Sequence, residues 1–415
     1  MQKIISDAHN MISSIIADNM PAYAVTQALK EHTFTGRIHL IAIGKAAWTM
    51  AKAASDYLGE RLVCGIVVTK YDHSNGALPQ IDIYEAGHPV SDENTIAATQ
   101  KCIDLTSNLT TGDELLFLVS GGGSALFEKP LDGISLADIQ NISSQLLASG
   151  ADIIEMNMIR KRLSAVKGGR FAMLAAQSQI FSIILSDVLG DRLDTIASGP
   201  VVPDKSTVDD ALRVLNKYDL KLADLQREYL LAETEKDITN VKTVIIGSVR
   251  TLCEAAKKSA ILQGYTPIVL TTTMNCEAKE AGRLLSSIAA DVCNGNSDIK
   301  RPCAIIIGGE TVVILKGQGK GGRNQELALS AAGGIAGLDN VVIFSLGSDG
   351  TDGPTDAAGG IVDGSSASKL KAAGFNIDNI LADNDSYHGL QAVNGLIVTG
   401  PTGTNVNDVS VILCR

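Results

Sequence analysis

Short apolar runs of four to seven residues, most of them closing in a glycine- or aspartate-rich loop and followed by a helical pattern, recur along the whole chain. A continuous run of Val, Ile and Leu reads as a strand buried on both faces, and parallel strands need a crossover of about a dozen residues or more, usually a helix. The alternation therefore predicts an α/β fold with mainly parallel sheets covered by helices. Strands are expected over residues 39–43, 62–69, 81–85, 115–119 and 181–185, with helices such as 46–57 and 92–105 between them. A second series is expected over 243–246, 266–270, 304–307, 312–315, 341–346 and 396–398. The stretch 207–239 reads as polar and helical, so it is taken as a connector, with one domain over 1–237 and another over 238–415. The last strand, 409–413, can return to either sheet, and a cleft is expected between the domains.

A chain of 415 residues suits two domains, each able to bury most of its apolar surface. Its formal charge is −11, from 35 basic against 46 acidic side chains. With no Lys/Arg-rich surface run, nucleic acid and anionic membrane are not expected partners, and an anionic ligand would need local positive charge. Seven cysteines stand singly with no C-x-x-C pair, which indicates reduced thiols and neither zinc nor a disulfide framework. The first twenty residues place Asp7, His9 and Asp18 within their apolar pattern, and no later apolar run approaches membrane length. A cytoplasmic protein is expected, with homo-oligomer formation left open.

The loops carry the chemistry. In open α/β sheets ligands bind in the crevice beyond the carboxyl ends of the strands. The run 341–346 breaks there into a glycine loop holding Asp349, Asp352 and Asp356. These aspartates lack the alternate-residue spacing of a calcium EF-hand, so magnesium, which asks for fewer carboxylates, fits better. The run 115–119 meets Ser120, Gly121, Gly122, Gly123 and Ser124; 183–185 meets a loop with Asp187 and Asp191; 304–307 meets Gly308-Gly309-Glu310-Thr311. Glycine lets backbone N–H groups approach an anion closely, and a helix beginning just afterwards adds a favourable dipole. Several such loops imply a polyanionic pocket.

A literal G-x-G-x-x-G stands at residues 317–322, yet the acidic residue about 20 positions on, Asp339, precedes a strand where the dinucleotide fingerprint puts it after one. The loop Gly319, Lys320, Gly321 and Gly322 with Arg323 reads instead as a phosphate cradle with two cations. Lys45 follows a strand and Gly44 at the mouth of a helix, where an ammonium can reach a phosphate; His39 and Ala46 exclude a Walker A loop. The serines around 121–123 lie outside the glycines, so no nucleophile elbow is present. Lys167 and Arg170 flank a Gly-Gly break and are candidate substrate cations, whereas the preceding Arg160-Lys161-Arg162 reads as a solvated helix face. The loop 399–408 is rich in hydroxyl and amide groups and is either a ligand loop or a solvated one.

The motifs at 120–126, 186–191, 308–311, 319–326, 347–359 and 404–408, taken in order, resemble the glycerate 2-kinases of the MOFRL type over essentially the whole chain. That resemblance implies transfer of the γ-phosphoryl group of ATP to the 2-hydroxyl of D-glycerate with Mg²⁺. It also implies roles for Lys45 and Arg323, here read as stabilising the transferring group. Glu310, Asp349 and Asp352 stand as candidate metal ligands; Lys167, Arg170, Asp187, Asp191 and Asn324 stand as candidate substrate contacts. The alternatives are an NAD(P)-dependent hydroxypyruvate reductase and a kinase for another small hydroxy acid.

Overall fold

The structure, a computed structural model, describes residues 2–415 and arranges twelve strands in two six-stranded sheets. The first sheet holds β1 (Arg37–Ile43), β2 (Leu62–Lys70), β3 (Ile81–Ala86), β4 (Asp113–Val119), β5 (Gln179–Leu185) and β6 (Val241–Gly247), in the order β3-β2-β1-β4-β5-β6. Strands β1 to β5 pair in parallel, and Ile41 sits between Ile66 on one side and Phe117 on the other. Every residue of β4 is buried, as a strand covered on both faces must be. Chain order runs outward from the centre in both directions, so the sheet reverses between β1 and β4. At such a reversal, ligands of open α/β sheets bind beyond the carboxyl ends of the strands.

The second sheet holds β7 (Thr266–Met274), β8 (Cys303–Gly309), β9 (Val341–Gly347), β10 (Gly359–Asp363), β11 (Leu396–Ile397) and β12 (Asp408–Cys414), in the order β11-β10-β9-β12-β8-β7. It departs from the mainly parallel expectation: β7 and β8 are parallel, but β12 runs antiparallel to both its neighbours, and β10 antiparallel to β9 and β11. The last strand thus enters the centre of the second sheet, where all seven of its residues are buried.

The local pattern misleads at three further places. Residues 312–315 form no strand; Val312, Ile314 and Leu315 are exposed and only Val312 makes an isolated bridge, to Glu277. Gly359 and Gly360, expected in a loop, open β10, because a Cβ on Gly359 would lie 2.0 Å from the Ser345 carbonyl oxygen and only glycine lets the backbones pair so closely. Residues 243–246 lie within β6, at the edge of the first sheet next to β5.

Two compact units result, one over Pro21–Ile246 and one combining residues 2–20 with Gly247–Arg415. In the first unit the expected connector is packed structure: helices Leu136–Ala148, Ile153–Leu163, Val208–Lys217 and Asp224–Leu230 enclose a core that includes Ile142, Leu146, Ile159, Leu163, Val214 and Leu230. In the second unit helix Gln2–Asp18 buries Ile4, Ala8, Met11 and Ile15, one face at helical spacing, against helix Val249–Leu262 and β9. Asp7 on that helix accepts hydrogen bonds from Tyr265 Oη at 2.7 Å and Arg415 Nη1 at 2.9 Å.

Candidate functional site

In the first unit the turns after β1 and β4 are stitched together at the reversal of the sheet. The Lys45 N–H donates to the Gly121 carbonyl at 2.9 Å, and the Ser120 N–H to Ile43 O at 2.9 Å. Ser120 Oγ accepts from the Ala46 N–H at 3.0 Å and donates to Ile43 O at 3.2 Å. Gly44 has φ +111°, and a Cβ there would lie 2.3 Å from Ser120 Oγ, so the turns touch backbone to backbone. Ser120 is therefore an internal clasp, which corrects its expected role as a phosphate ligand. Ser124 Oγ lies 3.1 Å from Ser198 Oγ, which in turn donates to Asn157 Oδ1 at 2.9 Å.

Three side chains converge on the glycines between those serines. A Cβ on Gly121 would lie 2.2 Å from Asp187 Oδ2; one on Gly122, at φ +84°, would lie 3.0 Å from the His88 ring and 3.2 Å from Lys45 Cγ. Gly123 is buried, with Ala197 Cβ 2.8 Å from the position its own Cβ would take. Burial, then the charges of Lys45 and Lys70 and neighbouring His73, lower His88 to about 4, so this imidazole is neutral at physiological pH. The Lys45 ammonium has no hydrogen bond or ion pair among the described residues, and an unpaired cation over a glycine turn attracts an anion. Asp191 sits at the tip of its loop with φ +52°, its N–H donating to Val188 O at 3.1 Å.

Two expected substrate cations are structural. Lys167 is wholly buried and ion-paired with the equally buried Glu128. Arg170 Nη1 points at the carbonyl oxygens of Lys161, Arg162 and Ser164, closing the end of helix Ile153–Leu163. The basic run before them is no solvated face either: Lys161 pairs with Asp194 and Asp204 at 3.5 Å, and Arg162, with no exposed side-chain surface, donates to Ala232 O and Ser206 O.

In the second unit Arg323 opens helix Arg323–Gly334 and faces carboxylates. Its Nε and Nη2 reach Asp408 at 2.6 and 3.0 Å, and Nη1 reaches Glu310 at 2.9 Å. Burial alone would lower the guanidinium, but Asp408 and Glu310 outweigh it and raise its pKa, so Arg323 stays charged. Asp349 Oδ1 and Asp408 Oδ1 both lie 3.4 Å from where a Cβ on Gly347 would stand, at the end of β9. Asp408 is the residue the sequence reading passed over; its place at the end of a hydroxyl- and amide-rich loop was the available signal. His88 is not among the residues singled out from sequence, because a lone histidine carries no spacing signal.

Asp352 and Asn324 turn inward, which corrects their expected metal and substrate roles. The Asp352 carboxylate accepts the N–H groups of Asn324 at 3.2 Å and Gln325 at 2.8 Å and so caps the helix from a distant loop. Burial raises Asp352 to about 7, against the lowering by those N–H groups. Asn324 is buried, its side chain held by Ser345 Oγ at 2.5 Å and Asp352 at 3.4 Å. The glycine loop is no open cradle at Gly319 and Lys320, whose N–H groups donate to Asp383 O at 2.8 Å and Asp385 Oδ1 at 2.9 Å. Its glycines serve close packing: Cβ atoms on Gly319, Gly321 and Gly322 would lie 2.4 Å from Asp385 Cβ, 2.1 Å from Ser386 Oγ and 2.3 Å from Asp352 Cγ. Lys320 Nζ lies 4.3 Å from the centre of the Tyr387 ring. Among the described residues no group of three or more His, Cys, Asp or Glu side chains is arranged to hold a metal ion, and no helix is long and apolar enough to cross a membrane.

Comparison with known proteins adds an independent line. A family model described as a domain of unknown function, DUF4147, matches residues 7–230, and the model of the MOFRL family matches residues 303–408. A D-glycerate 2-kinase of Thermotoga maritima is 51% identical over 97% of this chain and 97% of its own. A glycerate 2-kinase of Pyrococcus horikoshii is 42% identical over 92% of this chain and 89% of its own. The crystal structure of a glycerate kinase from Thermotoga maritima superposes with a TM-score of 0.97 at 50% identity, covering 100% of both chains.

Proposed function

The chain belongs to the glycerate 2-kinases of the MOFRL type, and on that premise we propose that it transfers the γ-phosphoryl group of ATP to the 2-hydroxyl of D-glycerate. The observation that carries this reading is Lys45, whose side chain packs at Gly122 where the first sheet reverses and whose ammonium has no protein partner among the described residues. The substrate's 2-oxygen forms a bond to the γ-phosphorus, the bond from that phosphorus to ADP breaks, and the hydroxyl proton leaves to a base. Such a transfer asks a protein mainly to position reactants and to neutralise charge on the phosphoryl oxygens. Lys45 and Arg323 are the cations proposed for that task. Gly121, Gly122 and Gly123 are proposed as the phosphate turn, and Asp187, packed over Gly121, as a substrate contact.

Magnesium asks for one or two carboxylates and otherwise phosphate oxygens and water. The donor set fits, because Glu310 and Asp349 each keep one carboxylate oxygen that no protein donor among the described residues occupies. Bound there, the ion would supply charge neutralisation to the phosphate oxygens. The free cysteines suit a reducing, cytoplasmic setting.

Against a nicotinamide-dependent reductase stands the local structure of the literal G-x-G-x-x-G: residues 317–322 follow no strand, whereas the fingerprint needs one before the glycines. The deciding experiment is a coupled assay with ATP, magnesium and D-glycerate, followed by identification of the product. Formation of ADP and 2-phosphoglycerate is expected; NADH oxidation with hydroxypyruvate and no ADP would replace this reading with the reductase.

A further inference from the structure

Arg160 is a partly buried arginine without a partner. It makes no hydrogen bond or ion pair among the described residues, and its Nε is sealed from solvent. Burial lowers the Arg160 guanidinium, and the one carboxylate acting against that is Glu128. But Glu128 already faces the Lys167 ammonium in a fully buried pair. Two cations therefore share one anion, and the cluster carries an excess positive charge. Arginine is seldom withdrawn from water unless paired, so an arrangement of this kind calls for a further anion.

The surroundings add polar groups in the same condition. Asn157, one helical turn before Arg160 on helix Ile153–Leu163, has a buried Nδ2 without an acceptor, and Glu128 a buried Oε1 without a donor. Buried polar groups are nearly always hydrogen-bonded, so these atoms call for a partner. The cluster adjoins the glycine turn: Asn157 is joined through Ser198 to Ser124, and Glu128 follows closely on helix Gly123–Leu126.

We propose that Arg160 binds the carboxylate of the 2-hydroxy acid, with Asn157 Nδ2 as a second donor and Glu128 Oε1 accepting from a substrate hydroxyl. The proposal rests on the kinase reading and gives its acceptor substrate a place in the first unit. It takes the place of Lys167, whose ammonium is buried against Glu128, and of Arg170, whose Nη1 is held by three backbone carbonyl oxygens.

The test compares wild type with Arg160→Met and Arg160→Lys in steady-state kinetics, varying D-glycerate and ATP separately. A lost charge-assisted hydrogen bond predicts a KM for D-glycerate raised roughly 10- to 100-fold in Arg160→Met, less in Arg160→Lys, with the KM for ATP unchanged. An unchanged KM for D-glycerate, or a fall in kcat alone, would overturn the assignment. A second arm uses wild type only, so it does not depend on the variants folding. D-glycerate should raise the melting temperature while its neutral amide, D-glyceramide, should not; equal shifts would overturn the proposal. Failure of the kinase reading would register separately, as wild type forming no ADP from ATP and D-glycerate, and the melting comparison would still decide whether the protein reads the substrate's carboxylate.

Discussion

Arg323 grips Asp408 with two nitrogens, Nε at 2.6 Å and Nη2 at 3.0 Å, across 85 residues of sequence. Its remaining nitrogen, Nη1, holds Glu310 at 2.9 Å. A planar fork with all three nitrogens engaged has no equivalent in lysine, which carries one point charge. Arg323→Lys is therefore expected to lose nearly as much turnover as Arg323→Ala, on the order of a hundredfold, the usual cost of one charge-stabilising donor. The measurement is kcat for ADP formation. A lysine variant at wild-type rate would mean that charge alone matters at this position.

Lys45 offers the opposite case, because its ammonium supports nothing in the fold among the described residues. Lys45→Ala is expected to cut turnover by on the order of a hundredfold while leaving the melting temperature within a few degrees of wild type. A clear fall in melting temperature at near-normal turnover would assign the amine to stability and remove it from the proposed chemistry.

The local signals of sequence were sufficient where function and fold share a short stretch. The run before Ser120 and the glycines after it announce a buried strand and a close-approach turn, and both are present. What local patterning lacks is the identity of distant partners. Residues 312–315 form a continuous apolar run like a buried strand but find only an isolated bridge, so Val312, Ile314 and Leu315 stay exposed. Gly359 and Gly360 look like a loop and become β10 because β9 is there to pair with them. Lys167 looks like a ligand cation beside Gly168 and Gly169, but Glu128, 39 residues earlier, claims it. Asp408 and Arg323 escape notice as a pair for the same reason.

The Lys167–Glu128 pair gives a prediction about stability. Breaking a buried ion pair from one side leaves an uncompensated charge and typically costs about 3–5 kcal/mol. Lys167→Met should therefore lower the denaturation midpoint strongly, and replacing both residues by apolar ones should recover much of the loss. Chemical denaturation of the single and double variants checks this. A Lys167→Met protein of wild-type stability with a raised KM for D-glycerate would restore the ligand role that its pairing with Glu128 argues against.

His88 connects the glycine turn to pH. Its folded pKa of about 4 lies below the ordinary 6.5, chiefly through burial and then through Lys45. Between those values the unfolded chain binds a proton that the native imidazole refuses, so this contribution to stability is complete above pH 6.5 and fades as pH falls toward 4. The melting temperature of wild type should accordingly drop more steeply from pH 7 to pH 4.5 than that of His88→Gln, in which no imidazole titrates. The same coupling reports on ligand. A polyphosphate bound at Lys45 cancels part of the positive field on His88 and raises its pKa, so binding at pH 5.5 should take up protons from the buffer. Calorimetry of inorganic triphosphate binding in two buffers of different ionisation enthalpy measures that uptake. Binding with no proton uptake in wild type, or with the same uptake in His88→Gln, would place the anion away from Lys45 and the glycine turn.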